Sequence, residues 1–189
     1  MRLAGGDASL DFVNTLDSRY AGPDLLHTYL DLLIWAARVG LLERGEGAKL
    51  RAAAERAPVV AEVALKRAKA TREALYEVFL SEVTGRPPNA GNVHNVSRVI
   101  ARAMNSRELC WDDGMIWVWK EADDLDGVLC RVALAASALL SNRTRRPLRR
   151  CGGLKCGWLF LDTSRGGRRR WCSDESCGAK ARVRRFRGQ

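Results

Sequence analysis

With 189 residues and 47% hydrophobic content, the chain can build one ordinary core and a small satellite, and no run approaches the roughly 18 apolar residues of a membrane-spanning helix. The net charge of +10 is uneven: residues 143–189 hold fifteen Lys and Arg against three acids, net +12, while residues 1–142 hold seventeen against nineteen. Residues 1–8 contain no apolar export segment, so we expect a reducing cytoplasm, no membrane partner, and Cys110 and Cys130 as buried thiols.

In chain order, Leu10, Phe12, Val13 and Leu16 are spaced for one face of a short helix. Asp11, Asn14 and Thr15 lie among them. Short polar residues beside a helix end usually bond the local backbone, and we favour that reading, with a small-molecule pocket as the functional alternative for these three. Thr28-Tyr-Leu-Asp31 has the form of a capping box, with aspartate in place of the longer acid. It should open a helix ending near Gly40, with Leu30, Leu33, Ile34, Ala37 and Leu41 as its core stripe. Two helices follow, over 48–57 and from Pro58 to about Val83, because a proline at a first helical position loses no needed hydrogen bond. Leu65, Ala68, Leu75, Val78 and Phe79 should face the core. Gly85 and Pro87-Pro88 stop the helix, and another over 92–104 should bury Val93, Val96, Ile100 and Met104.

The period then changes to that of a strand. Glu108–Trp111 and Met115–Trp119 flank Asp113-Gly114, which suits a tight two-residue turn. Ile116 and Val118 occupy one face of the second strand, Met115, Trp117 and Trp119 the other. One face should pack on the helices. For the other we expect cover from the metal-bearing tail or from a second copy of the chain, making a homodimer, with an aromatic platform for bases as the alternative. A helix from Asp123 or Asp124 to about Asn142 carries the regular stripe Leu125, Val128, Leu129, Val132, Ala136 and Leu139. Residues 1–142 thus read as a mostly α domain with one β-hairpin, and 143–150 as a basic linker.

The tail, 151–189, holds Cys151 and Cys156, then fifteen residues, then Cys172 and Cys177. Paired cysteines around a segment long enough for one hairpin are the usual frame of a closed four-thiolate site for one structural zinc ion, Zn2+. Four buried thiols or two disulfides are the alternatives. Trp158–Asp162 should form a strand, 163–167 a turn and 168–171 the returning strand, followed by a helix over 174–187 capped by Ser173. Cys177 then lies near the positive end of that helix, in the manner of a treble-clef finger. Around that helix Ala179, Val183 and Phe186 make an apolar seam expected to pack on the hairpin. Lys180, Arg182, Arg184, Arg185 and Arg187 surround it, and Arg168 and Arg170 extend the surface, which we read as nucleic-acid-binding. An acidic protein or membrane surface is the alternative for so basic a unit.

The run Cys156-Gly-Trp-Leu-Phe-Leu-Asp-Thr-Ser-Arg165, with Arg169-Arg-Trp-Cys172 and Cys177-Gly178, resembles the signature of the bacterial CGNR zinc-finger proteins. Their amino-terminal ABATE domain opens with a motif similar to Leu10-Asp-Phe-Val-Asn-Thr-Leu16. The resemblance implies a stress-induced transcription regulator, and with the basic tail the expected partner is DNA. The family's Cys-Gly-Asn-Arg reads Cys177-Gly178-Ala179-Lys180 here, and lysine keeps the charge without arginine's forked contact. A zinc-dependent protein-interaction module and a thiol redox sensor are the other readings. We expect no enzyme: His27 and His94 are the only imidazoles, and a four-cysteine site leaves zinc no open position.

Overall fold

The computed structural model describes residues 1–20 and 22–188. Six helices and a hairpin come first: α1 (Ala8–Val13), α2 (Tyr29–Arg38), α3 (Glu46–Arg56), α4 (Pro58–Thr84), α5 (Ala90–Asn105), β1 (Arg107–Trp111), β2 (Met115–Trp119) and α6 (Gly127–Ser141). The tail adds β3 (Leu148–Arg150), β4 (Leu159–Leu161), a π-helical turn at Asp174–Gly178 and α7 (Ala179–Phe186). The chain is therefore mostly α, with two small antiparallel sheets among the described residues. None of the described helices is long and apolar enough to cross a membrane.

Helix α6 is the axis of the core. It is buried along almost its whole length and packs on α5, α1 and α2. Local signals explain the other boundaries. The Thr28 hydroxyl accepts from the Asp31 N–H while the Asp31 carboxylate accepts from the Thr28 N–H, so the capping box forms. Pro58 occupies the first position of α4, and Gly85, at φ +68°, ends it.

Two helices sit rotated from their expected stripes. In α2 the buried side is Tyr29, Leu32, Leu33, Trp35 and Ala36, while Leu30 and Ile34 are exposed. The large rings decide this, because Trp35 lies against Phe12 of α1 at 5.2 Å and the Tyr29 hydroxyl donates to the Leu125 carbonyl at 2.8 Å. In α5 the buried residues are Val96, Val99 and Ala103, and Val93 and Met104 face outward.

The hairpin forms, but Trp111 stands opposite Met115 and Arg107 opposite Trp119, so its loop is the three residues 112–114 and not the expected two-residue turn, with Asp113 at φ +49° and the Asp112 N–H donating to the Gly114 carbonyl at 2.8 Å. It touches the body at its base, through β1 on α5 and Arg131 of α6 stacked on Trp119 at 4.3 Å. The tail does not cover it, contrary to one of the two expectations, because β3 and β4 pack on α4 and α1 instead.

The tail's sheet also differs from expectation. Leu148–Arg150, expected as linker, is the strand that pairs with β4, Leu148 opposite Leu161 and Arg150 opposite Leu159. Residues 168–171 return without forming a strand, joined to the knuckle by the Gly152 N–H donating to the Arg170 carbonyl at 2.9 Å. The reason is occupancy. The outer edge of β4 is already satisfied by groups from the amino-terminal segment, so no edge remains for a second partner. Leu148 and Leu159 turn into the main core, while Trp158 and Phe160 join the four cysteines in a separate small core.

Candidate metal centre and basic face

The knuckle at Cys151–Cys156 and the turn at Cys172–Cys177 bring four buried sulfurs within 4.8 Å of one another. Cys172 Sγ lies 3.7 Å from both Cys156 Sγ and Cys177 Sγ. A tetrahedral ion with Zn–S bonds of about 2.3 Å requires sulfurs about 3.8 Å apart, whereas a disulfide requires about 2.0 Å, so the spacing selects metal over oxidation. The backbone is arranged for thiolate: the N–H groups of Cys172 and Gly153 point at Cys151 Sγ at 3.3 and 3.5 Å. Cys151 is held far below the usual thiol range, first by hydrogen bonds from the thiols of Cys156 and Cys172. Those same bonds to Cys151, and burial after them, push Cys156 and Cys172 upward. A divalent cation resolves this conflict by letting all four sulfurs ionise together. The four cysteines fit one structural zinc ion, closed to further ligands.

The centre is welded to the helical part. Asn14, 2% exposed, donates from Nδ2 to the Leu159 carbonyl at 2.8 Å and accepts the Leu159 N–H at 3.0 Å, so one carboxamide pairs with β4 as another strand would. Two residues on, the Leu161 N–H donates to the Gly5 carbonyl at 2.8 Å. Trp158 Nε1 donates to the Leu16 carbonyl, the Tyr76 hydroxyl to the Gly157 carbonyl, and the Arg19 N–H to the carbonyl of the ligand Cys156. Asp11 accepts the N–H groups of Ala4 and Gly5, both at 2.8 Å, and burial raises its carboxyl above the usual range in spite of them. Thr15 donates to the Phe12 carbonyl and accepts from Arg72. Asp11 Oδ1, the Asn14 carboxamide and Thr15 Oγ1 thus bond within the chain, in holding the amino-terminal segment and the tail.

Of the basic residues singled out from sequence, Arg168, Arg170, Lys180, Arg182, Arg185 and Arg187 are exposed and Arg184 is half-buried. Among the described residues none of the seven makes an ion pair. Helix α7 buries nothing, and its expected apolar seam is open, with Val183 50% and Phe186 93% exposed. On the expected hairpin segment the Phe160 ring is capped by the Arg169 guanidinium at 4.5 Å. Ser173 does not cap through its side chain, and a π-helical turn precedes α7. The sequence reading missed two cations. Arg2 and Lys155 join Lys180 and Arg184 around a groove of about 590 Å³ where the amino-terminal segment meets the knuckle. No local sequence signal links residues so far apart.

Residues 6–143 match the ABATE family, described as "Putative stress-induced transcription regulator", and residues 147–189 match the CGNR zinc finger. No curated protein matches the chain. On these two matches, which together span nearly its whole length, the chain belongs to the ABATE family and carries a CGNR zinc finger at its carboxyl end.

Proposed function

We propose that the protein is a DNA-binding transcription regulator of the cytoplasm, in which zinc orders the tail and the tail's free cations hold the phosphate backbone. One contrast carries this reading. In residues 1–142 nine of the seventeen Lys and Arg pair with an acid, among them Arg51 with Glu55, Arg67 with Asp126, Arg72 with Asp24, Arg102 with Asp124 and Arg131 with Glu46, and nineteen acids leave that part net negative. The seven basic side chains of the tail have no such partners among the described residues, so their field extends into solvent, where a polyanion exchanges its counterions for them. Flexible Lys and Arg on a short helix supply affinity and orientation, and we assign no base readout to them. The helical part would sense a signal or pair with a second copy, and the chain has no catalytic role in this account.

The test is binding of full-length, zinc-loaded protein to duplex DNA by fluorescence anisotropy across a salt series. Seven phosphate contacts give a slope of log K against log salt of about −6, and removing Lys180, Arg184 and Arg187 together should make it shallower by about 2.7, equally on unrelated sequences. Absence of binding at low salt would remove the proposal. A second reading rests on Val183 and Phe186, whose exposure beside the cations suits an acidic protein with an apolar contact. That reading predicts a partner retained in a pull-down after nuclease treatment, with no DNA binding by the purified chain.

A further inference from the structure

The β1–β2 hairpin is a two-stranded sheet with both outer edges unpaired among the described residues. A two-stranded ribbon is marginal in water unless something packs on it. Chains normally blunt a free edge with charge or proline. β1 does so, opening with Arg107 and Glu108. β2 reads Met115-Ile-Trp-Val-Trp119 and contains neither. On one face of the ribbon Leu109 stands opposite Trp117 and Trp111 opposite Met115, at 48%, 51%, 75% and 58% exposure; Ile116, on the other face, is 40% exposed.

We propose that β2 is the interface of a homodimer, pairing antiparallel with the same strand of a second copy about a two-fold axis at Trp117. That register sets Met115 opposite the partner's Trp119 and Ile116 opposite the partner's Val118, apolar against apolar with no charge on either edge. A two-fold needs such a self-complementary strip. Met115, Ile116 and Trp117 on β2 add on the order of 300 Å² of exposed side chain per copy to the main-chain hydrogen bonds of the paired edges, and Leu109 and Trp111 would continue the apolar face across the four-stranded sheet so formed. Charge argues against nucleic acid on this face. Glu108, Asp112, Asp113 and Glu121 surround the strip, against Arg107 and Lys120, and would repel phosphates.

The experiment is sedimentation equilibrium on full-length, zinc-loaded protein without DNA, across the micromolar range. Wild type should show twice the chain mass. Trp117→Lys should weaken association at least tenfold, since the ring pair at the axis is lost and two ammonium groups would stand directly opposite one another. Met115→Lys, at a site more exposed and free of the Arg107 stack on Trp117, should do the same with an unchanged circular dichroism spectrum. A wild type that is monomeric throughout, a dimer indifferent to both lysines, or pairing that appears only when DNA is added would each overturn the proposal.

Discussion

Replacing Asn14 with alanine tests how tightly the tail is joined to the rest. The change deletes both hydrogen bonds to Leu159, which is fully buried, and leaves its N–H and carbonyl facing a methyl group. An unsatisfied buried polar group costs about 1–3 kcal/mol, so the pair should cost about 3 kcal/mol. For a chain of this size that is a fall in Tm of about 6–12 °C. Asn14→Asp keeps the shape and separates geometry from volume. Ionised, the carboxylate still accepts the Leu159 N–H but confronts the Leu159 carbonyl; protonated, it can donate to that carbonyl and restore the pattern. Its folded pKa is therefore raised, and the deficit against wild type should be large at pH 7 and shrink toward pH 4. Calorimetry of the zinc-loaded proteins reads the stability, and hydrogen exchange at Leu159 and Leu161 reads the seam. A loss below about 1 kcal/mol for alanine, or a deficit of Asn14→Asp that is constant with pH, would refute the reasoning.

Further expectations concern Asp24 and Gly157. Asp24 makes two bonds to Arg72, at 2.8 and 2.9 Å. Burial would raise its carboxyl, but Arg72, the Leu26 N–H and Lys69 more than reverse this and hold it at about 2. The unfolded value is about 3.9, so its contribution, about 1–2 kcal/mol after screening, is present above pH 4 and lost as pH falls through 2. The stability gap between wild type and Asp24→Asn, followed by denaturant titration, should accordingly narrow from pH 6 to pH 2; a constant gap would contradict it. Gly157 sits at φ +72°, and an added Cβ would lie 2.8 Å from Arg19 Cβ. Gly157→Ala should cost about 2–3 kcal/mol from left-handed strain and the clash, and a thermal melt matching wild type would count against that contact.

The cysteines were legible because metal ligation is written in local spacing: each pair must fit one turn, and Cys151–Cys156 and Cys172–Cys177 do. Thr28, Asp31, Pro58 and Gly85 were legible for the same reason, since caps and stops act over four residues. The strand pairing of the tail was not. Which segment flanks β4 depends on Asn14 and Gly5 occupying its other edge, a relation across about 145 residues that local periodicity does not encode. The apolar seam of α7 was visible as a pattern, yet its burial depended on a hairpin that does not form, and Arg169 caps Phe160. The stripe of α2 turned because Tyr29 and Trp35, polar at one atom each, carry more apolar surface than Leu30 and Ile34.

The most direct measurement is elemental analysis of the purified full-length chain, paired with Cys172→Ser. The account predicts one zinc per chain for wild type and less than stoichiometric zinc for the variant, with protection from hydrogen exchange lost through β3, β4 and the segment around Asn14. A wild type without zinc, or a serine variant that keeps a full complement with the tail still ordered, would contradict it.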